Sequence, residues 1–411
     1  MSHFLCIKPE VYIWKDRKNI LLYNSDTFQS VLWERDSESD AVADALLDVK
    51  NYYSIDIDEK KDLEIVQEIT KKGFGVIVDT SEKLKPITIP PVLVFSNQAE
   101  RVLSKGLLFY DAHLVDYIKT ITVRLSGECC NDCTDCSSLF KQVTNCTKRN
   151  GKLTKEDLLK IQKIIQGTRA EKVQFIISNE NDVALLEQNQ FIVDHNETMV
   201  INYINWNNVS EEIIDRIESL PCQQLVKIVF KLNACISGHN QLLLGELLNK
   251  YKNIIVCFLL SSDEDVTLYQ DIVQTLDITD RNEASCIYNG NNHHFIETFY
   301  QMNGRELESL QCDSVLIKTN QVINSDFWGN IYIEPDRTIC LNESYPCFGD
   351  IDMPLYEILS KAFNSHDNPW LLTRKKVGCG ACVYRCLCPP INNLELSMSN
   401  PFACSSYHKS L

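Results

Sequence analysis

Cysteine is the residue type whose number and spacing could do chemistry in this sequence. Eighteen cysteines occur among 411 residues. Five of them lie between Cys129 and Cys146, and seven lie between Cys340 and Cys404. Clustered thiols in a reducing compartment are typical of metal ligands, whereas a disulfide framework belongs to oxidising compartments. The sequence therefore predicts thiolate-bound metal at two separate places.

The first cysteine group has the spacing Cys-x3-Cys-x2-Cys, from Cys129 through Cys133 to Cys136. Three thiolates on one short loop can hold three irons of a [4Fe–4S] cluster and leave the fourth iron open. Cys146 follows ten residues later, a span of up to about 33 Å, and could supply a fourth thiolate. The alternatives are zinc on a half-site that includes Cys130, or chance proximity, with Cys146 an ordinary thiol.

The second cysteine group has the spacing Cys-x2-Cys-x5-Cys, and a fourth cysteine follows sixteen residues later. Its members are Cys379, Cys382, Cys388 and Cys404. Four thiolates complete a closed cluster site. A structural zinc site with four cysteines is the alternative. Cys386 lies outside this pattern.

The elements that must position the first group begin near Ile121. Apolar runs typical of strands lie at 121–125, 173–178, 199–204, 226–230, 254–260 and 285–288, and helical spacing separates most of them. Alternating strands and helices predict parallel βα units, and six of them fit a partial (β/α)6 barrel. Sites in such folds form at the carboxyl ends of strands, and the first cysteine group directly follows strand one.

The two ends of the chain differ from this middle. Residues 1–85 predict a small α+β domain, whose strands at 10–14 and 19–23 could offer an edge to an extended peptide. The alternative is a small packing domain that binds no ligand. Residues 322–411 predict a hairpin, a short helix and a cysteine-rich tail that needs an inorganic staple to stay ordered. The predicted barrel then occupies residues 115–320.

The composition narrows the class of protein. The formal net charge is −16, and phosphate repels so acidic a chain, which excludes general nucleic-acid binding. The longest apolar run, 254–260, is far too short to span a bilayer. The first six residues lack the basic and apolar regions of a secretory signal. We therefore expect a cytoplasmic protein without a membrane partner.

The cysteine motifs resemble two known ones. Cys129–Cys136, placed after strand one, resembles the signature of the radical S-adenosylmethionine (SAM) superfamily. Cys379–Cys388 resembles the SPASM extension of radical SAM peptide maturases, which carries auxiliary [4Fe–4S] clusters. Those extensions often have a Pro-Asp-Gly turn followed by a cysteine, and here Pro335-Asp336-Arg337 precedes Cys340. The resemblance makes Cys340 and Cys347 candidate ligands of a further cluster.

Three further stretches narrow the resemblance to the pseudo-radical-SAM/SPASM proteins, which are encoded with precursor peptides that carry double-glycine leaders. The stretches are Leu139–Gln142, Asn368–Arg374 and Leu387–Glu395. This resemblance implies one or two [4Fe–4S] clusters, SAM as a cofactor, a precursor peptide as a partner and a catalytic radical SAM protein beside it. It also implies a role in the maturation of ribosomally made peptides.

Two departures from the radical SAM pattern argue against SAM binding. Asp135 stands before the third cysteine, where that family usually has an aromatic residue. The second strand leads into Ser178–Asn181 instead of a Gly-Gly-Glu-Pro-like turn, and side chains there obstruct the approach that glycine permits. Three hypotheses follow: an accessory iron–sulfur protein, an active radical SAM maturase, or a zinc-stabilised peptide-binding protein. The sequence assigns no catalytic residue.

Overall fold

The computed structural model describes residues 2–60, 62–80, 84–91, 114–127, 142–143, 149–189, 198–220, 224–232, 238–398 and 404. The chain forms two compact units, and each is discontinuous in sequence. Unit 1 comprises Met1–Arg101, Met302–Ser325 and Leu371–Ile391. Unit 2 comprises Val102–Gln301, Asp326–Trp370 and Asn392–Leu411.

The strands and helices of the described residues follow in chain order. The strands are β1 (Ser2–Ile7), β2 (Val11–Lys15), β3 (Asn19–Asn24), β4 (Ser30–Glu34), β5 (Ser54–Asp56), β6 (Gly75–Thr80), β7 (Thr120–Arg124), β8 (Lys172–Ile177), β9 (Met199–Asn205), β10 (Gln224–Lys231), β11 (Ile254–Leu260), β12 (Asn282–Cys286), β13 (Asn330–Ile333), β14 (Thr338–Cys340) and β15 (Gly349–Asp350). The helices are α1 (Ser37–Leu47), α2 (Glu64–Lys71), α3 (Lys155–Gln166), α4 (Glu180–Asn189), α5 (Glu211–Glu218), α6 (Gly238–Lys250), α7 (Asp263–Leu276), α8 (His293–Phe299), α9 (Gly304–Glu308), α10 (Ser314–Val322), α11 (Leu355–Phe363) and α12 (Asn393–Ser397). Among the described helices, none is long and apolar enough to cross a membrane.

Unit 1 contains two three-stranded antiparallel sheets, with the orders β5-β1-β6 and β2-β3-β4. Their apolar residues share one core with α1 and α2, in which Leu5, Ile20 and Val66 are fully buried. Helix α1 begins where the Asp36 side chain accepts hydrogen bonds from two backbone N–H groups of its first turn. The strands and helices of residues 5–74 therefore share one apolar core.

The strand edges of unit 1 differ from the prediction in one respect. The predicted strands at 10–14 and 19–23 exist as β2 and β3. However, β3 pairs with β2 on one side and β4 on the other, so its backbone groups are already used. An added peptide therefore cannot pair with residues 19–23. Among the described strands, β2 and β4 each have β3 as their one neighbour, so the sheet has one edge at Val11–Lys15 and another at Ser30–Glu34.

Unit 2 is built on a nine-stranded sheet with the order β12-β11-β10-β9-β8-β7-β13-β14-β15. The six strands from β7 to β12 are parallel and lie side by side in chain order. Helices α3, α4, α5, α6 and α7 connect them. This arrangement confirms the predicted α/β class. The predicted hairpin is also present, as antiparallel β13 and β14, with β13 parallel to β7.

The two faces of this sheet have different chemistry. One face carries apolar side chains that are fully buried, such as Val123, Val173 and Val256. Right-handed crossovers place the connecting helices on one face of a sheet with this strand order. The opposite face carries polar side chains that lie beside one another in the register, including the pairs Thr122–Gln174 and Tyr203–Lys227. Polar groups that could act on a ligand therefore belong to the second face.

The C-terminal part of the chain does not form one body of its own in this division. Residues 326–370 belong to unit 2, whereas 371–391 group with the N-terminal strands in unit 1. Nothing in the sequence pattern indicated this grouping. The predicted layout of 1–85, 115–320 and 322–411 stays a prediction, and its boundaries do not coincide with those of the two units.

Candidate functional site

The first cysteine group begins just past the carboxyl end of β7. The backbone N–H of Gly127 donates to the carbonyl of Gly151 over 2.9 Å, and the N–H of Leu153 donates to the carbonyl of Leu125 over 2.9 Å. The chain therefore leaves β7 and returns beside the same point. Between these anchors lies a stretch that we call the cysteine segment, residues 128–150.

Both anchors require glycine. A Cβ atom on Gly127 would lie 1.9 Å from the carbonyl oxygen of Arg149. A Cβ atom on Gly151 would lie 2.6 Å from the carbonyl oxygen of Pro335, and Gly151 has a φ of +134°. L side chains rarely adopt such a φ. The close return of the segment thus depends on two residues that have no side chain.

The thiols of the first group lie outside the described residues. These are Cys129, Cys133, Cys136 and Cys146, together with Cys130. Four residues of the segment are described, 142–143 and 149–150. The Gln142 side chain bonds to both the N–H and the carbonyl of Tyr288, each over 2.7 Å. Val143 packs against Val229 and Leu259. Val143 therefore lies near the ends of β10 and β11.

A buried charge cluster forms where β7 ends. The Arg124 guanidinium donates to Glu334 over 2.6 Å and also to Glu343, and it lies 5.5 Å from the centre of the Tyr332 ring. The side chains of all three charged residues are at most 2% exposed. Two buried carboxyl groups therefore share one guanidinium.

Burial favours the protonated form of one of these carboxyl groups. Burial, and the nearby charge of Glu334, raise the pKa of Glu343 to about 8, although Arg124 opposes the shift. Among the described residues, no group bonds to Glu343 Oε2. Arg124 is 210 residues from Glu334 and 219 from Glu343, so sequence reasoning missed this cluster.

The turn after β8 is fastened to the exit of β7. Asp182 is fully buried, and its Oδ2 accepts hydrogen bonds from the Ser178 N–H over 2.8 Å and from the Ser126 hydroxyl over 2.9 Å. Burial raises the pKa of Asp182, and these hydrogen bonds oppose the shift. Helix α4 begins at Glu180, directly after the strand. The polar groups of this turn are therefore used within the protein.

The polar face carries a second cluster farther along the sheet. Lys227 Nζ donates to both oxygens of Glu283, over 2.7 and 2.8 Å. The Cys257 thiol donates to the same carboxylate over 3.4 Å. Burial and this carboxylate raise the pKa of Cys257 to about 12. The thiol is therefore protonated at neutral pH and is a poor nucleophile.

A cavity of about 580 Å³ opens beside this face. Side chains of β7, β8, β12 and β13 line it, and so do residues 392–394. Its lining is mostly hydroxyl and carboxamide groups, including Thr122, Gln174 and Asn393. Five strands lie between β12 and β13 in the sheet, yet both line this one cavity.

The second cysteine group lies mostly in unit 1. We call residues 379–388 the cysteine turn. Its first part, Cys379–Ala381, is a 3₁₀ turn, and the N–H of Cys382 donates to the carbonyl of Cys379 over 3.0 Å. Cys379 is buried, whereas Cys382 and Cys388 are partly exposed. Burial raises the pKa of Cys386 to about 11.

The donor set suits a soft metal, but the structure does not assemble it. Within the described part of the chain, no three side chains of Cys, His, Asp or Glu lie together where they could hold a metal ion. Cys404 is buried and belongs to unit 2. The predicted auxiliary site of Cys379, Cys382, Cys388 and Cys404 therefore stays a prediction.

Cys340 and Cys347 differ from expectation. They form a disulfide with a Cα–Cα distance of 4.1 Å, although the sequence predicted reduced thiols. Both sulfur atoms are used in that bond, so the pair could bind a metal only after reduction. Sequence reasoning gave no weight to a pairing at a separation of seven residues.

Polar side chains also hold the end of the cysteine turn. The Asn320 amide donates to the carbonyls of Cys386, over 3.0 Å, and Cys388, over 3.4 Å. Arg374 donates to the carbonyl of Pro389 over 2.7 and 2.9 Å. Hydrogen bonds within the protein therefore hold part of the C-terminal segment. The sequence analysis had predicted that bound metal keeps this segment ordered. Asn320, a buried asparagine on α10, is the residue from which these contacts could have been predicted.

Comparison with known proteins adds little to these observations. No protein-family model matches the sequence, and no curated protein matches it. Among solved structures, the chain is similar to SuiB of Streptococcus suis bound to S-adenosylmethionine, at 10% sequence identity and a TM-score of 0.40. The match covers 97% of each chain. Similarity of this degree does not assign a fold family or an activity.

Proposed function

We propose that this chain is an iron–sulfur protein of the radical-SAM-like/SPASM type that acts in the maturation of a ribosomally made peptide. One observation carries the proposal. The run Cys129-x3-Cys133-x2-Cys136 directly follows β7, the first of six parallel strands that lie in chain order. Three thiolates at the carboxyl end of a strand suit a [4Fe–4S] cluster, which supplies one-electron transfer when bound.

Two features support a partial (β/α)6 barrel as the scaffold. Parallel strands in chain order, joined by right-handed crossovers, leave one face free of helices. Strands β12 and β13 line a common cavity although five strands separate them, and a sheet must curve for its distant strands to do so. The cavity then lies on the concave, polar side of the sheet.

The anchors of the cysteine segment support a closed cluster with Cys146 as a fourth ligand. Gly127 and Gly151 are hydrogen-bonded, Cys129 follows the first by two residues, and Cys146 precedes the second by five. Five residues span at most about 17 Å. Val143, three residues before Cys146, already packs over β10 and β11. Cys146 therefore stays within reach of the end of β7.

Asp182 supports an accessory role over an enzymatic one. Its carboxylate binds the Ser178 N–H and the Ser126 hydroxyl, in the turn where the radical SAM family holds its cofactor. These groups are not available to a ligand unless the turn rearranges. We therefore propose a degenerate partner of a catalytic radical SAM protein, located in the cytoplasm.

Unit 1 would recognise the precursor peptide at an edge of the β2-β3-β4 sheet, and of its two edge strands β4 lies beside a groove. A groove of about 710 Å³ runs beside this strand, and we call it the β4 groove. It is lined by residues 30–32 of β4, by Glu68 and Lys72, by residues 303–305 with Glu308, and by Tyr384. An extended leader could pair with the open edge of β4 and lie in this groove.

Anaerobic purification followed by iron and sulfide analysis tests the proposal. About four irons per chain are expected if the first cluster forms, and about eight if the auxiliary cluster forms too. Incubation with SAM and a reductant should then yield no 5′-deoxyadenosine. Zinc in place of iron would overturn the proposal, and formation of 5′-deoxyadenosine would replace the accessory role with an enzymatic one.

A further inference from the structure

The disulfide between Cys340 and Cys347 closes a ring at the end of β14, and we call residues 340–347 the disulfide ring. Cys340 is fully buried, whereas Cys347 is partly exposed. Just outside the ring, the N–H of Phe348 donates to the carbonyl of Ile339 over 3.1 Å. The hairpin β14–β15 therefore holds the two ends of the ring together independently of the sulfur bond.

Two residues inside the disulfide ring make buried contacts outside it. Glu343 accepts a hydrogen bond from Arg124, and both side chains are at most 2% exposed. Asn342 is fully buried, and its amide donates to the side-chain oxygen of Asn393 over 2.8 Å. Asn393 lines the polar cavity of about 580 Å³. The ring therefore contacts both the charge cluster at the end of β7 and the wall of the cavity.

The hairpin that carries the ring has two further contacts of this kind. Thr338, on β14, accepts a hydrogen bond from the guanidinium of Arg149 over 3.0 Å, and Arg149 belongs to the cysteine segment. Tyr332 is the register partner of Cys340, lines the cavity and lies 5.5 Å from the Arg124 guanidinium. A change in the ring is therefore adjacent to the exit of β7, to the cysteine segment and to the cavity.

Glu343 occupies a position that its charged form disfavours. Burial raises the pKa of this carboxyl, because the ionised group loses its hydration there. Arg124 keeps a second partner in Glu334, at 2.6 Å, when Glu343 leaves. Cleavage of a crosslink also gives the closed loop more conformational freedom. Opening the ring therefore favours the departure of Glu343 from Arg124.

We propose that the Cys340–Cys347 bond is a redox switch that holds the disulfide ring on Arg124 and Asn393 when oxidised and releases it when reduced. The cytoplasm, the location given in the proposed function, keeps most protein thiols reduced, and the disulfides that form there are mostly catalytic or redox-sensing. Release of the ring frees one side of the charge cluster at the exit of β7 and one side of the cavity wall.

The reductant is a dithiol, and exposure determines which sulfur it attacks. A thiolate of the dithiol attacks the partly exposed Sγ of Cys347, the Sγ–Sγ bond breaks, and Cys340 leaves as a thiolate that takes up a proton. The second thiol of the reductant then displaces Cys347 from the mixed disulfide. Two electrons and two protons pass to the protein, and the dithiol becomes a disulfide.

The test uses the full chain, purified anaerobically and equilibrated with mixtures of reduced and oxidised dithiothreitol as the dithiol probe. Acid quenching, alkylation of free thiols and mass spectrometry measure the fraction of chains that contain the disulfide. Hydrogen–deuterium exchange of the same samples measures local opening. The peptides to compare cover residues 341–346, 124–126 and 392–394, with 19–24 of unit 1 as the internal control.

On reduction, we expect exchange in the ring to rise at least about tenfold, which is less than a disulfide usually contributes. Exchange at 124–126 and 392–394 should rise with the same dependence on reductant. Cys347→Ser should show the reduced pattern in both buffers, whereas Cys257→Ser, at another partly exposed thiol of unit 2, should behave as wild type. Glu343→Gln should keep the cleavage but lessen the change at 124–126, because a neutral amide gains less from water.

Three results would each overturn the switch. The first is the absence of the disulfide in fully oxidised buffer, and the second is a disulfide that persists in excess reduced dithiothreitol. The third is cleavage that leaves exchange at 124–126 and 392–394 unchanged, since the bond would then be a local crosslink. Iron content does not enter this measurement, so an iron-free protein would refute the proposed function and leave the switch standing.

Discussion

Gly127 and Gly151 are hydrogen-bonded across 2.9 Å, and they bring the two ends of the cysteine segment together at the exit of β7. The residues on either side of the cysteine segment are therefore held next to each other, and both positions require glycine.

Gly151→Ala should destabilise the protein and loosen the cysteine segment. The added Cβ would meet the Pro335 carbonyl at 2.6 Å in a backbone conformation that alanine disfavours. We expect a loss of roughly 2–4 kcal/mol in the free energy of unfolding, by the usual size of steric and φ strain. Denaturant melts and iron content measure the two effects.

Gly290→Ala is the matched control. Gly290 also has a positive φ, +96°, but a Cβ there would meet nothing within 4 Å. The Gly290→Ala variant should therefore lose only about 1 kcal/mol in the free energy of unfolding, from its backbone conformation. Its iron content should be unchanged. Equal effects of the two substitutions would contradict the close-approach argument.

Glu343 should make stability fall as the pH rises. Its pKa is raised to about 8 in the folded protein from 4.5 in the unfolded chain, so the folded state binds more protons between these values. Stability from this group is complete below about pH 4.5 and is lost as the pH approaches 8. Glu343→Gln should flatten this part of the curve.

Urea melts between pH 5 and 8 measure the slope for wild type, Glu343→Gln and the exposed control Glu59→Gln. The buried variant should gain stability relative to wild type at the upper end of the range, by roughly 1–2 kcal/mol. A wild-type slope that persists in Glu343→Gln would show that another group titrates.

Arg337 should be nearly neutral to glycine and sensitive to alanine. It has a φ of +73°, and its guanidinium contacts Asp157 at 3.1 Å and also Asp352. Glycine loses these partly exposed ion pairs but relieves the backbone, so the two effects offset to within about 0.5 kcal/mol. Alanine loses the ion pairs and keeps the strain, and should cost about 1 kcal/mol. Thermal melts of both variants measure this difference. Equal losses of stability in the two variants would contradict it.

Cys146→Ala should open the first cluster. If Cys146 closes the cluster, wild-type protein shows no spectral change on addition of SAM, whereas the variant responds to SAM or other small ligands. Cys130→Ala, outside the ligand pattern, is the control and should keep the wild-type spectrum. Electron paramagnetic resonance spectra of the reduced wild-type and variant proteins measure the response of the cluster. A SAM-dependent shift in wild-type protein would refute the closed site.

The sequence by itself determined the local elements and the candidate ligands. Apolar periodicity located β2, β3, the βα units and the β13–β14 hairpin, because side chains on a strand or helix alternate with a fixed period. Cysteine spacing identified the two cysteine groups, because spacing is a property of neighbours along the chain. These features need no knowledge of distant partners.

Tertiary structure alone decided which residues meet. Arg124 finds its carboxylates more than two hundred residues away, and Gly151 meets the Pro335 carbonyl. Strand β3 became central because β4 pairs with it, and Tyr384 came to line a groove with β4. Burial, pairing and close approach depend on the whole fold, and periodicity carries no information about partners so far apart in sequence.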